Sequence, residues 1–337
     1  MSRGLSRSAI EAAIQKYGPQ IQIHPEETYL PCSVEWFLAH CTLVDSKYPE
    51  HKKVHPLETE LPNGPKEGTR FYLDIEESVK PGDLPTAKAY VNAFWKPELT
   101  YTDLQFWMFS AYNGHGTAKF QSLVFDKVER FGDVDLSPLG EHVGDWEYVG
   151  IRIDNITQEL VGLILSAHGK NIIYDQAAIA TNFTMVDGTH PVIYSSLNGH
   201  ANFPSVGPNF TEHRKVLGWP VGLEFDLLNT TASGGPCINS STDYELINAP
   251  YLTEDKVICP AWVAYPYRWG PEGTGIHMDV KTLSEIIKVV IGDDDATKLI
   301  DTPIVLLASE LLHIFVRADI NGAGAPMGQS PWNGIYL

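Results

Sequence analysis

Between Ala89 and Ile247 the chain alternates short β-branched and aromatic runs with turn residues, and nowhere in that stretch does an apolar period of about 3.6 residues appear. Strand-like runs lie at Ala89 to Trp95, Leu104 to Tyr112, Glu147 to Ile153, Leu160 to Ala167, Val192 to Ser196 and Tyr244 to Ile247. A parallel sheet needs a crossover, usually helical, between successive strands. That pattern is missing, so the expected architecture is mainly β, an antiparallel β-sandwich rather than a parallel α/β sheet.

Helical periodicity is confined to the two ends. Ser8-Ala9-Ile10-Glu11 has capping-box spacing, Ile10, Ala13, Ile14 and Tyr17 follow on one face, and Gly18-Pro19 closes a short N-terminal helix. Ile21 and Ile23 then read as a brief strand broken by Pro25 and Pro31. Residues 45–87 form a polar connection with one strand near Phe71-Tyr72-Leu73. Near the C-terminus, Thr282-Leu283-Ser284-Glu285 and Pro303 open two helices expected to pack on the sheet. With 337 residues, 43% of them hydrophobic, there is enough apolar surface for one large core. The expectation is a single domain over 1–337, with a β-rich core at 20–275 and a helical and irregular region at 276–337.

Twenty-four basic residues against forty-two acidic give a formal charge of -18. That balance repels nucleic acid and anionic membrane surfaces, and favours neutral or cationic small molecules as ligands. Oligomeric state is not encoded in any feature found. No apolar run reaches the roughly 20 residues of a membrane span, and Met1 to Gly18 lacks a signal-type apolar core. A cytoplasmic chain without stable membrane insertion is expected. Cys32, Cys41, Cys237 and Cys259 lack the paired spacing of a zinc site and read as reduced thiols.

The segment most informative about chemistry is Gly140-Glu141-His142-Val143-Gly144-Asp145-Trp146-Glu147, which runs on into Tyr148-Val149-Gly150-Ile151-Arg152-Ile153. Strand side chains alternate, so Asp145 and Glu147 share a face with Val149, Ile151 and Ile153. Two carboxylates therefore sit at one end of an apolar surface. Burying them uncompensated costs several kcal/mol each, which calls for a cation, a dense hydrogen-bond network or a shared proton. A divalent metal is the simplest solution, with His142, Asp145 and Glu147 as ligands and Mg²⁺ or Ca²⁺ as the hard ion that oxygen donors suit. The competing solution is hydrogen bonding to backbone or arginine, but Arg152 belongs to the opposite strand face.

His168 and His200 follow strand-like runs, as does Asn113-Gly114-His115, and strand ends are where a β scaffold carries binding groups. If these ends converge, His142, His168 and His200 with Asp145 and Glu147 make a catalytic acid/base set. Asn113, Tyr194, Trp262, Arg268 and Trp269 are the candidates for a substrate pocket, with core packing the competing role for the aromatic residues. There is no phosphate loop, dinucleotide fingerprint, nucleophile elbow or His-Glu-x-x-His helix, so no organic cofactor is expected.

Several ordered motifs carry a resemblance. Ile23-His24-Pro25-Glu26-Glu27, Tyr29 to Phe37, Phe106-Trp107, Asn113-Gly114, Gly140 to Glu147, Tyr194 to Ala201, Arg268-Trp269-Gly270-Pro271 and Gly324 to Trp332 together resemble the vacuolar protein sorting-associated protein 62 family of plants and fungi. Gly140 to Glu147 is also similar, locally, to the necrosis- and ethylene-inducing-peptide-like proteins, where a histidine and an Asp-Trp-Glu triplet surround a divalent cation on a β-sandwich. That likeness implies a metal neighbourhood at His142, Asp145 and Glu147. The family name implies an association with vacuolar protein delivery and identifies no reaction.

Two functional expectations follow. The first is a metal-assisted acid/base enzyme of lyase, cyclase or hydrolase type, acting on a small, largely apolar organic substrate in fungal secondary metabolism. The second is a non-catalytic, cation-stabilised binding protein linked to vacuolar protein sorting. Membrane lysis in the manner of the necrosis-inducing proteins is the third and least favoured.

Overall fold

The computed structural model describes residues 3–124, 127–167, 170–217, 221–272 and 322–336. Helix α1 (Arg7–Tyr17) leads to β1 (Gln20–Gln22), helix α2 (Val34–Leu38) and the small strands β2 (Thr42–Asp45), β3 (Lys53–Val54) and β4 (Phe71–Asp74). Next come β5 (Ala89–Phe94), the long β6 (Tyr101–Asn113), β7 (Thr117–Val124), β8 (Lys127–Asp135), the long β9 (His142–Asp154), β10 (Leu160–Ala167) and β11 (Lys170–Asp175). Helix α3 (Gln176–Asn182) precedes β12 (Met185–Val186), β13 (His190–Ser195), β14 (Asn202–Phe203), β15 (Gly207–Leu217), β16 (Val221–Thr231), β17 (Cys237–Asn239) and β18 (Tyr244–Asn248).

The central sheet has six strands in the order β11-β10-β9-β6-β5-β18, antiparallel throughout except where β18 joins β5. Its two long middle strands run side by side, with Met108 opposite Glu147 and Ser110 opposite Asp145. A second sheet, β12-β13-β1-β17 with β14 on β13, covers one face, and its β1–β13 contact is parallel. A four-stranded sheet (β15-β16-β7-β8) and a three-stranded one (β3-β2-β4) are the other sheets among the described residues.

Alternation decides what each face of the central sheet buries. Leu104, Phe106 and Met108 of β6, with Val149, Ile151 and Ile153 of β9, meet Ile21, Ile193 and Ile238 of the second sheet and Ile10 and Ile14 of α1. Trp107, Phe109, Trp146 and Tyr148 point the other way, into an aromatic layer with Phe37, Trp262 and Trp269. Trp146 stacks on Trp262 at 5.3 Å between centroids, and Trp269 meets Trp146 edge-on at 5.4 Å. The mainly antiparallel sandwich expected from the strand runs is therefore the observed fold.

Helix α1 starts earlier than its spacing predicted. Ser6, not Ser8, is the N-cap, its hydroxyl accepting from Ala9 N–H, while the buried stripe Ile10, Ala13, Ile14, Tyr17 and the Gly18 terminus are as read. The two C-terminal helices expected after Thr282 and Pro303 lie outside the described residues. No helix among the described residues is long and apolar enough to cross a membrane.

Candidate functional site

Asp145 and Glu147 do project toward the second sheet, as the alternation of β9 requires. They line a cavity of about 20 Å³ between the sheets, walled by Ile21, Ile23 and Met108 and edged by Ser110, Ser195 and His200. That volume holds about one water molecule or one ion. Organic ligands occupy cavities of about 300 Å³ or more.

His200 supplies the positive counterpart for Asp145. It sits in the turn after β13, where Asn198 at φ 66° and His200 at φ 52° both adopt left-handed backbone. Such conformations in non-glycine residues store about 1–3 kcal/mol each and persist where the surroundings fix them. Here the fixing bonds are visible. His200 Nδ1 lies 2.9 Å from Asp145 Oδ2, Nε2 donates to the Tyr29 carbonyl at 3.0 Å, and Glu27 Oε2 stands 3.7 Å from Nε2.

Glu27 was not anticipated as a site residue. Its carboxylate accepts from Tyr29 N–H at 2.8 Å and from Asn198 N–H at 2.6 Å, so it ties the N-terminal loop to the turn that carries His200. The sequence signal was the Pro25-Glu26-Glu27 cluster inside a motif that carried the family resemblance. Its partner, however, is 171 residues away.

The electrostatics separate the two acids of β9. Burial alone pushes the Asp145 carboxyl up, but the His200 hydrogen bond and charge, with His142 adding to them, hold it below its ordinary value. Burial likewise opposes charge on His200, and Asp145 with Glu27 and the Tyr29 carbonyl reverse this, raising its pKa. Glu147 goes the other way. Burial first and the neighbouring Asp145 charge second push it well above the usual carboxylate range. An ionised Asp145–His200 pair beside a protonated Glu147 is the neutralisation this geometry favours.

The three-ligand centre of His142, Asp145 and Glu147 is not assembled, since no group of three or more His, Cys, Asp or Glu side chains is arranged to hold a metal among the described residues. His142 Nδ1 donates to the Gly144 carbonyl at 3.0 Å. His168 lies outside the described residues. Of the expected histidine and acid set, the cavity brings together His200, Asp145 and Glu147.

The five residues expected to line a substrate pocket lie in different surroundings. Trp262 and Trp269 are 2% and 0% exposed in the aromatic layer, on the face of the central sheet away from the acids. Asn113 Nδ2 bonds the Gly114 and Gly140 carbonyls and shapes a turn. Tyr194 is half-buried beside Ile193 and Ser195, whose side chains take the inner face of β13. Arg268 Nη1 donates to the Gly322 carbonyl. Trp262 and Trp269 meet edge-on at 6.1 Å between centroids, and the five residues do not share one pocket with the acids.

The fold and the site define a β-sandwich protein with a buried histidine–carboxylate centre at the seam between its two facing sheets. Residues 5–310 match the family described as vacuolar protein sorting-associated protein 62, and the chain belongs to that family. No curated protein matches it. Among solved structures it is similar to necrosis and ethylene inducing protein 2 from the causal agent of cocoa's witches broom disease, at 19% identity over 61% of this chain and 71% of that one, TM-score 0.30. It is also similar to a protein described as a toxin fold for microbial attack and plant defense, at 16% identity over 75% and 80%, TM-score 0.34. A third likeness is to NLPPya in complex with glucosamine, at 14% identity over 75% and 79%, TM-score 0.32. These neighbours match the group that Gly140 to Glu147 is similar to.

Proposed function

We propose that this chain is a non-catalytic, cation-stabilised binding protein, linked to vacuolar protein sorting as its family name suggests. Asp145 and Glu147, helped by the hydroxyls of Ser110 and Ser195, would hold one hard divalent cation, Mg²⁺ or Ca²⁺. The observation that carries this reading is the size and lining of the cavity. It takes one ion and no organic molecule, and the Glu147 carboxyl that faces it makes no hydrogen bond among the described residues. Glu147 is half-buried, and a partly desolvated carboxyl without a partner is costly, while an oxygen-rich donor set of two carboxyls and two hydroxyls is what hard ions prefer. When bound, the ion would supply positive charge to both acids and tie β9 to β6 and β13.

The test is thermal unfolding of metal-stripped protein, with and without millimolar Mg²⁺ or Ca²⁺. Binding to the folded state alone stabilises by about 2.7 kcal/mol at a hundred times Kd. A melting temperature unmoved by either ion, with no heat of binding in calorimetry, would reject the proposal.

The raised pKa of Glu147 favours a second reading, the acid/base enzyme, because catalytic acids are tuned this way. That reading needs a substrate to reach Glu147, and the roughly one-water cavity gives it no room in this conformation.

A further inference from the structure

Two motifs that carried the family resemblance, Arg268 to Pro271 and the Gly324 to Trp332 region, contribute no side chain to the acid cavity. They meet instead at its main chain. Trp269 N–H donates to the Ala323 carbonyl at 2.9 Å, and Ala323 N–H donates to the Gly144 carbonyl at 3.2 Å. Arg268 Nη1 holds the neighbouring Gly322 carbonyl at 2.9 Å. The strands of chain approach so closely that a Cβ on Gly270 would stand 2.3 Å from the Val143 carbonyl oxygen, and one on Gly322 would stand 2.3 Å from Gly270 Cα.

Gly144 is the residue just before Asp145, and it sits at φ +68° inside β9. Val143 and Trp146, an odd number of positions apart, both join the aromatic cluster, a change of phase that this conformation provides. Glycine moves between left- and right-handed wells at little cost, so its peptide needs outside bonds to stay in one. Ala323 N–H and His142 Nδ1 are those bonds.

The same C-terminal segment is fastened at its far end. The Trp332 ring is buried against Trp107 at 5.9 Å between centroids, its carbonyl accepts from Asn92 Nδ2 at 3.1 Å, and the Pro331 carbonyl accepts from Gln105 Nε2 at 2.6 Å. Tyr336 O–H donates at 3.0 Å to Asp103 Oδ2, whose carboxylate is also gripped by Arg152 at 2.8 and 3.0 Å. Asn92, Asp103 and Gln105 are all buried.

We infer that residues 322–336, locked by Arg268, are positioning elements for the acid site: the docked tail holds the Gly144 peptide and so fixes the direction in which Asp145 and Glu147 leave the strand. The inference builds on the cation reading above. Its mechanism is that of outer residues that orient metal ligands without touching the metal.

The experiment is calorimetric titration of Ca²⁺ and Mg²⁺ into full-length wild type, Trp332→Ala, Arg268→Ala and Ile179→Ala, with hydrogen exchange followed over residues 143–147. Trp332→Ala and Arg268→Ala should weaken binding by about 10- to 100-fold, the usual effect of losing an outer orienting contact, and should speed exchange in that segment. Ile179→Ala truncates a core side chain of α3 away from this motif, and should lower the melting temperature with affinity unchanged. If Trp332→Ala fails to fold, Tyr336→Phe, which removes one hydroxyl, takes its place. Wild-type affinity and exchange in the folded tail variants would overturn the inference. A wild type that binds neither ion would reject the cation reading instead, and the exchange rates over 143–147 would still decide whether the tail braces Gly144.

Discussion

His200 Nδ1 lies 2.9 Å from Asp145 Oδ2 while Nε2 donates to the Tyr29 carbonyl, so both ring nitrogens face acceptors and the ring is held as an imidazolium. The pair is nearly inaccessible, with His200 5% and Asp145 9% exposed. Breaking a buried pair from one side leaves an uncompensated charge, which costs about 3–5 kcal/mol. His200→Ala and Asp145→Ala should each lose stability on that scale in urea unfolding. The double replacement Asp145→Ala with His200→Ala should lose clearly less than the sum of the single losses, because neither charge is stranded. Strict additivity would show that the two groups do not interact.

The same pair sets a pH profile. Asp145 titrates below its unfolded value of 3.8, so its contribution is present above that pH and disappears as pH falls through the lower folded value. His200 titrates above its unfolded 6.5, so its contribution is complete below that pH and is lost as pH rises through the higher folded value. The pair therefore stabilises most between these limits. His200→Gln should flatten the alkaline decline in melting temperature over the range above 6.5, and an unchanged slope there would remove His200 as its source.

Glu147 works against folding as pH rises. Its pKa is raised in the folded state, so the native form holds a proton that the unfolded chain releases above 4.5, and stability falls as pH climbs from there toward the folded value. Glu147→Gln keeps the shape and removes this penalty. The variant should be more stable than wild type in metal-free buffer at neutral pH, by the ~0.5–2 kcal/mol common to single stabilising changes, and should lose any response to Ca²⁺. A variant less stable than wild type under those conditions would mean that Glu147 is ionised and well paired.

The inward direction of Asp145 and Glu147 was legible because strand alternation is local and needs no knowledge of the rest of the chain. His200 was visible as a strand-end histidine, but its pairing with Asp145 depends on how two sheets stack. Glu27 was invisible as a partner, since what it holds is the backbone of a turn far along the chain. The aromatic residues left two roles open for a related reason. Trp262 and Trp269 have the composition of a ligand pocket, and only the fold shows that they fill the far face of the sheet. The β15-β16-β7-β8 sheet was missed because charges such as Lys119, Asp133 and Asp226 interrupt its strands, which weakens the apolar pattern. Helix α2 had a readable start in Ser33, which caps Trp36 N–H, yet five residues are too few to show a period.

Gly144 offers the sharpest test of the backbone around the acids. A side chain there meets two separate obstacles: the left-handed φ of +68°, and a Cβ position 2.5 Å from the Trp269 carbonyl oxygen. Gly188 isolates the first of them, because it has a similar φ of +75° with nothing within 4 Å of its Cβ position. Gly188→Ala should therefore cost only the left-handed penalty, about 1–2 kcal/mol. Gly144→Ala should cost more, since the Trp269 main chain must also move and that chain is bonded to Ala323. It should also quench the packing of Trp146 against Trp269, which intrinsic fluorescence would register as a shifted emission at native pH. Equal losses in the two variants would mean that Trp269 yields freely, and that the close approach at Gly144 does not constrain the strand that carries Asp145.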